Sequence, residues 1–152
     1  MKIESLYNMT KNELINFIVS EKYGAITEPK KAVDYISTFS GLIKDWYQEH
    51  FLIIALNTKN KVLKAEIVST GSLTACIAEP KQIFKKLLLI DGVASFIVAH
   101  NHPSGEVDPS ENDNKITESL KKAGQILALP LFDHLIFTKA GDFYSYSEEG
   151  KI

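Results

Sequence analysis

His100-Asn101-His102-Pro103-Ser104-Gly105-Glu106-Val107-Asp108-Pro109-Ser110-Glu111-Asn112-Asp113 joins the end of one element to the start of the next, and the rest of the chain reads outward from it. Upstream, Val93 to Ala99 is a short apolar run, partly β-branched and aromatic, as expected of a buried central strand. His100 and His102 follow at its C-terminal end. Side chains i and i+2 of an extended chain lie on one side, so both imidazoles are expected to point at one atom while Asn101 points away. Pro103-Ser104-Gly105 breaks the strand, and Asp108-Pro109 reads as an N-cap followed by proline at the first helical position. A helix starting there carries Ser110 and Asp113 on one face. That face continues through Ile116, Thr117, Leu120 and Leu127, which is predicted to be the buried side. A carboxylate heading an apolar stripe is costly unless something positive meets it. His100, His102 and Asp113 are therefore expected to hold a divalent ion, one zinc per chain. Two imidazoles and one carboxylate leave the fourth position of a tetrahedral zinc open, the pattern of a catalytic rather than a structural site.

Working outward, Thr10-Lys11-Asn12-Glu13 is a capping box with Met9 and Leu14 as its hydrophobic staple, which predicts a helix with Leu14, Phe17 and Ile18 along its apolar edge and Gly24 as its stop. A second helix follows Thr27-Glu28-Pro29, with Ala32, Val33, Tyr35, Ile36 and Phe39 apolar. Glu49 to Leu56 reads as a strand, Asn57-Thr58-Lys59-Asn60 as a turn, and Val62 to Val68 as the returning strand of a hairpin. Alternation puts Glu49, Phe51, Ile53 and Ala55 on one face, with Glu49 at the mouth of the strand. Glu66 alternates with Lys64 on the outside of the return strand, which suits a cross-strand ion pair. Beyond Gly71-Ser72-Leu73, Glu79-Pro80 opens a helix with Ile83, Phe84, Leu87 and Leu88 inward, ending at Asp91-Gly92. Strand, helix and strand in that order imply a right-handed crossover onto one sheet. The helix after Pro109 is expected to end near Leu127 or Ala128. Leu131 to Thr138 gives another strand, and Ala140-Gly141-Asp142 turns it into a short last one around Phe143 to Tyr146. The fold class is α/β or α+β, a mixed sheet with helices packed on it.

His100-x-His102, seven residues, Ser110, two residues, Asp113 resembles the JAMM motif of the MPN/JAB metallopeptidase superfamily. The run His100-Asn101-His102-Pro103-Ser104-Gly105 is similar to that of its bacterial RadC-like branch. The likeness extends from about Glu28 to the C-terminus, through Val68 to Leu73 and Asp133-His134-Leu135-Ile136. It implies the JAB/MPN, cytidine-deaminase-like architecture, with residues 1–27 as a helical extension and 28–152 as the metal-binding domain. It also implies amide hydrolysis, peptide or isopeptide, with Ser110 as donor to the oxyanion and an upstream glutamate as general base. The residues alone leave Glu49, Glu66 and Glu106 nearly equal for that role, and the resemblance selects Glu49. His134 and Asn101 are candidates to orient the metal ligands from outside through hydrogen bonds. The literal string His-Asn-His also spells the name of a nuclease motif, but that motif's residues are dispersed over a ββα unit and not consecutive. The RadC-like branch carries a DNA-repair label, which makes a DNA-associated repair or conjugation accessory the alternative function and DNA a partner by label only. The helix-hairpin-helix segment often found ahead of such domains is not recognisable in this chain, which lacks its glycine-rich hairpins.

Composition narrows the classes further. At 152 residues, 45% hydrophobic and 24% charged, the chain has the material of one ordinary globular domain. A formal net charge of −2 provides no basic field for nucleic acid; Lys81, Lys85 and Lys86 alternate with apolar residues as the wet face of a helix would. The single cysteine, Cys76, excludes an internal disulfide and suits a reducing compartment, and its apolar neighbours make it a core residue. Met1 to Asn12 lacks the apolar region of a signal peptide, and no run reaches the roughly 18 apolar residues of a membrane span. The expectation is a cytoplasmic protein with a peptide or protein substrate and no membrane partner. The exposed edges of a small sheet favour a homodimer.

Overall fold

The computed structural model describes residues 7–11, 14, 17–18, 21–22, 24–38, 43–71 and 79–152. The Thr10–Glu13 capping box, Phe39, Ser72-Leu73 and Cys76 fall wholly or partly outside them. Among the described residues the chain runs α1 (Pro29–Thr38), β1 (His50–Leu56), β2 (Val62–Thr70), α2 (Pro80–Leu87), β3 (Ser95–Asn101), α3 (Glu111–Ile126), β4 (Leu131–Phe137) and β5 (Phe143–Ser145).

The five strands form one sheet in the order β2-β1-β3-β4-β5. β1 is antiparallel to both β2 and β3, β3 is parallel to β4, and β5 returns antiparallel to β4. The sheet is thus mixed, α+β, with β3 in its middle, and α2 carries the chain from β2 over β1 into β3. Every residue of β1 and of β3 is buried. Both sheet faces are covered, so these strands are apolar at nearly every position and show little alternation in their sequence. On one face Leu52, Ile54, Ile97, Ala99 and Leu135 pack with Ala32, Val33, Tyr35 and Ile36 of α1. On the other, Phe51, Ile53, Ala55, Phe96 and Val98 pack with Ile83, Phe84 and Leu87 of α2 and Ile116 and Leu120 of α3. Parity along β3 carries His100 onto this second face, under α3.

Four details differ from the expectations. α2 stops at Leu87, short of Asp91-Gly92, and Leu88 is 59% exposed, because it lies at the edge of the 83-84-87 stripe where the helix has already ended. Leu127 is likewise 44% exposed. It caps α3, Ala128 then turns in the left-handed region (φ 52°), and Leu129 takes the core position instead. The N-cap of α3 is Ser110, in extended conformation, and not Asp108. Ser110-Glu111-Asn112-Asp113 closes a capping box by itself, each end satisfying the other's backbone N–H, so the helix starts where two donors are satisfied at once. Finally, Glu66 pairs with Lys64 at 2.8 Å along its own strand and with Lys86 of α2 at 3.0 Å, and not across the ladder. The wet face of α2 expected from Lys81, Lys85 and Lys86 is present, with Lys86 drawn onto Glu66.

Candidate metal centre

β3 pairs with β1 so that Phe51 lies opposite His100. Continuing that antiparallel register brings Glu49, just before β1, across from His102, just after β3. The backbone N–H of His102 donates to the carbonyl of Phe137 at the end of β4 (3.0 Å), which keeps the chain on the sheet for one residue more. The turn at 103–105 follows, with Gly105 at φ +85°, a left-handed value that favours glycine. α3 then begins above the strand ends and sets Asp113, in its first turn, over the two rings.

The polar atoms converge closely. His100 Nε2 lies 3.1 Å from His102 Nε2, 3.2 Å from Asp113 Oδ1 and 3.6 Å from Glu49 Oε1. His102 Nε2 lies 3.8 Å from Asp113 Oδ2. Glu49, His100 and His102 each bring one ligand atom within 4.8 Å of the other two and are placed to hold a metal ion together. Asp113, the carboxylate expected from sequence, is nearer to His100 than Glu49 is, so two acids and not one face the imidazole pair. His100, Asp113 and His134 are fully buried.

Hydrogen bonds fix the protons on these rings. His102 Nδ1 lies 2.9 Å from the carbonyl of Glu106, which can only accept, so Nδ1 carries the proton and Nε2 is bare in the neutral ring. Thr117 Oγ1 donates to the carbonyl of Asp113 (2.6 Å) and therefore accepts from His134 Nδ1 (2.6 Å). Neutral His134 then has a bare Nε2, which accepts from His100 Nδ1 at 3.0 Å. His100 Nε2 is left as a lone pair aimed at that of His102. The 3.1 Å contact between them has hydrogen-bond length, yet by this assignment neither nitrogen carries a proton. Burial supports it, pushing His134 well below the ordinary histidine value. Burial also pushes His100 down, against the upward pull of Asp113. For Asp113 burial pushes upward, while a protonated His100 and the N–H and O–H of Ser110 pull downward and outweigh it; with His100 neutral, the Ser110 donors are the part of that pull that remains. Two imidazole lone pairs and two acids thus share one buried volume. Asp113 Oδ1 finds no hydrogen-bond partner among the described residues. Such a cluster favours positive charge at its centre, and nitrogen and oxygen donors of this kind suit zinc and its neighbours in the first transition row. The residues present fit a divalent cation.

The remaining sequence candidates are placed as follows. Ser110 donates its hydroxyl to Asp113 Oδ2 (2.6 Å), its N–H donates to the same oxygen (2.8 Å), and its Oγ accepts from the N–H of Asp113 (3.1 Å), so the serine holds the acid. Asn101 points away from the imidazoles, toward the chain ahead of β1. Glu66 is far along β2, tied to lysines. Glu106 contributes through its carbonyl, not its carboxylate. Two participants have roles that the sequence reading does not assign them. Thr117 reads there only as part of the buried stripe, although a threonine four residues after Asp113 is placed to bond the Asp113 carbonyl. The Glu106 carbonyl leaves no mark in a side-chain pattern. An open groove of about 630 Å³ lies between residues 105–108 and the turn at Gly141–Phe143, with Glu106, Asp108 and Asp142 on its walls.

The family profile described as RadC-like JAB domain matches residues 26–151. Among curated relatives, a UPF0758 protein of Chlorobium chlorochromatii is 43% identical over 121 residues, covering 80% of this chain and 54% of that protein. The UPF0758 protein CT0611 of Chlorobaculum tepidum is 40% identical over 123 residues, 81% of this chain and 54% of its own length. A UPF0758 protein of Methanosarcina acetivorans is 38% identical over 131 residues, 84% of this chain and 56% of its own length. The chain spans about half the length of these relatives. With a mixed sheet, two facing imidazoles at and just past the end of its central strand under a capped helix, and a profile match over the whole described sheet, the chain belongs to the RadC-like JAB domain family.

Proposed function

We propose that the domain is a zinc-dependent hydrolase that cleaves an amide bond, peptide or isopeptide, with water as nucleophile. The observation that carries this is the convergence of the Nε2 atoms of His100 and His102, 3.1 Å apart, on the carboxylates of Asp113 and Glu49. What zinc supplies when bound there is Lewis acidity toward water, lowering its pKa from about 15.7 toward roughly 7. His100, His102 and Asp113 hold the ion, their rings fixed in orientation by His134 and by the Glu106 carbonyl. Glu49, at the mouth of β1, accepts the proton of the attacking water and returns it to the leaving nitrogen, work worth roughly 10² to 10⁴ in rate. Ser110 turns its hydroxyl from Asp113 to the oxyanion of the tetrahedral species, where one donor is worth on the order of 10² to 10³.

The division of labour is tested by elemental analysis of protein purified without added metal, together with chelator-sensitive cleavage of a peptide library. Asp113→Asn and His102→Ala are expected to lose both zinc and cleavage. Glu49→Gln is expected to keep zinc and lose turnover by about 10² to 10⁴. A metal-free Glu49→Gln protein would show that Glu49 is a ligand and not the base. Metal-replete protein that cleaves nothing but is retained on DNA in a salt-dependent way would replace the hydrolase with a DNA-associated role.

A further inference from the structure

Asn101 stands between the two imidazoles in sequence yet takes no part in their cluster. Its side chain is fully buried and reaches the other way. Oδ1 accepts the backbone N–H of His50 at 2.8 Å, and Nδ2 donates to the backbone carbonyl of Gln48 at 2.9 Å. These are the residues on either side of Glu49. The regular β1–β3 ladder ends at Phe51 opposite His100. One residue further on, the Asn101 amide stands in for a peptide unit, supplying one acceptor and one donor where no strand backbone remains. A third anchor comes from the opposite side, where the N–H of Gly71 donates to the carbonyl of Glu49 itself at 2.9 Å. His50 is pinned as well, through Nδ1 to Thr70 Oγ1 at 2.9 Å and Nε2 to the Asp45 carbonyl at 2.7 Å.

We propose that Asn101 is a positioning residue for Glu49, setting that carboxylate over the imidazole pair by holding the peptide groups before and after it; this rests on Glu49 being the proton acceptor. Of the small polar side chains, only asparagine carries an acceptor and a donor on one planar group at this reach. Aspartate keeps the acceptor and loses the donor, and alanine loses both. One residue thus ties the strand that carries His100 to the strand mouth that carries the base, so that the acid and the ligands move together. Displacing a reacting group by about 1 Å costs up to 10²-fold in rate.

The test uses the whole chain loaded with cobalt(II), with carbon-13 in glutamate, and reads the paramagnetic shift of the Glu49 carboxyl carbon alongside the ring signals of His100 and His102. Asn101→Ala is expected to move the Glu49 carbon while metal stoichiometry and the two ring signals hold, and Asn101→Asp to move it in the same direction. On chelator-sensitive turnover, Asn101→Ala is expected to lose about 10²-fold alone and nothing further when added to Glu49→Gln. A Glu49 carbon that stays in place in either folded variant, or an additive loss on top of Glu49→Gln, overturns the proposal. Should both variants fail to fold, the unsubstituted protein still tests it: the His50 N–H must exchange with solvent as slowly as the amides of the interior of β1, and fast exchange at that amide also overturns it. The spectroscopic arm needs no turnover, so a protein without hydrolase activity refutes the hydrolase reading while leaving the placement of Glu49 measurable.

Discussion

Thr117 has one proton on its hydroxyl and spends it on the Asp113 carbonyl, and that choice sets the protons on His134 and then on His100. Thr117→Val keeps the volume and removes the oxygen, leaving His134 Nδ1–H unpaired in a fully buried site. The expected cost is about 1–3 kcal/mol of stability in urea unfolding of the metal-free protein. Metal affinity should fall about 10- to 100-fold, since the His100 tautomer is no longer enforced. Thr117→Ser should restore most of both. Unchanged affinity in Thr117→Val, by competition with a chromophoric chelator, would show that the ring orientation is set by packing, for instance by the stacking of His100 on Phe51 and of His134 on Tyr146. At this scale the sequence is legible where spacing alone decides direction. His100 and His102 share a side because they are two apart in extended chain, and Asp113 stands over them because it is in the first turn of the helix that follows. The role of Asn101 is not legible, because its partners lie 51 and 53 residues away.

Elements are bounded by backbone chemistry more than by apolar pattern. The start of α3 is the Ser110–Asp113 box, which also places a buried carboxylate at the positive end of the helix dipole. Near its other end, Gly124 sits in the last turn of α3 (Glu111–Ile126), still inside the helix, where alanine ordinarily gains about 1 kcal/mol. Here a Cβ would stand 2.5 Å from the carbonyl oxygen of Leu129, a backbone atom with no room to retreat, because the Leu129 N–H is bonded to the Gly124 carbonyl at 2.9 Å. Gly124→Ala is therefore expected to destabilise by about 1–3 kcal/mol despite its better helix propensity. Urea midpoints with an unchanged slope would measure it, and a stabilised variant would mean that the turn into β4 gives way easily. Helix identities follow from periodicity and those of β1 and β3 from short apolar runs, while the ends of α2 and α3 follow from neither. Leu88 and Leu127 continue an apolar pattern past the point where the chain has turned, and only the loop's own hydrogen bonds decide that point.

For the whole molecule, neutral buried histidines couple folding to pH. His100 and His134 are pushed below their ordinary value near 6.5 by burial. The unfolded chain protonates both rings near that value while the folded chain does not, so the stability they allow is complete above about pH 6.5 and is lost as pH falls. In chelator-treated protein each ring is expected to contribute at most about 1.4 kcal/mol per pH unit, over the interval between its unfolded and its folded value. Urea unfolding at pH 7.5, 6.5 and 5.5 reads this directly, and a flat profile would mean that the folded site takes up protons where a metal would sit. Among the described residues no helix is long and apolar enough to cross a membrane. By itself the sequence determined the strand–loop–helix that brings His100, His102 and Asp113 together, and the mixed sheet around it, because i,i+2 and i,i+3 geometry and apolar runs are local properties of the chain. Residue spacing left Glu49 level with Glu66 and Glu106; the fold decided that Glu49 joins them, that two acids face the rings, and which ring atoms meet one another. Those facts depend on the register of β1 against β3 and on hydrogen bonds closed between segments far apart in the chain, which residue spacing does not encode.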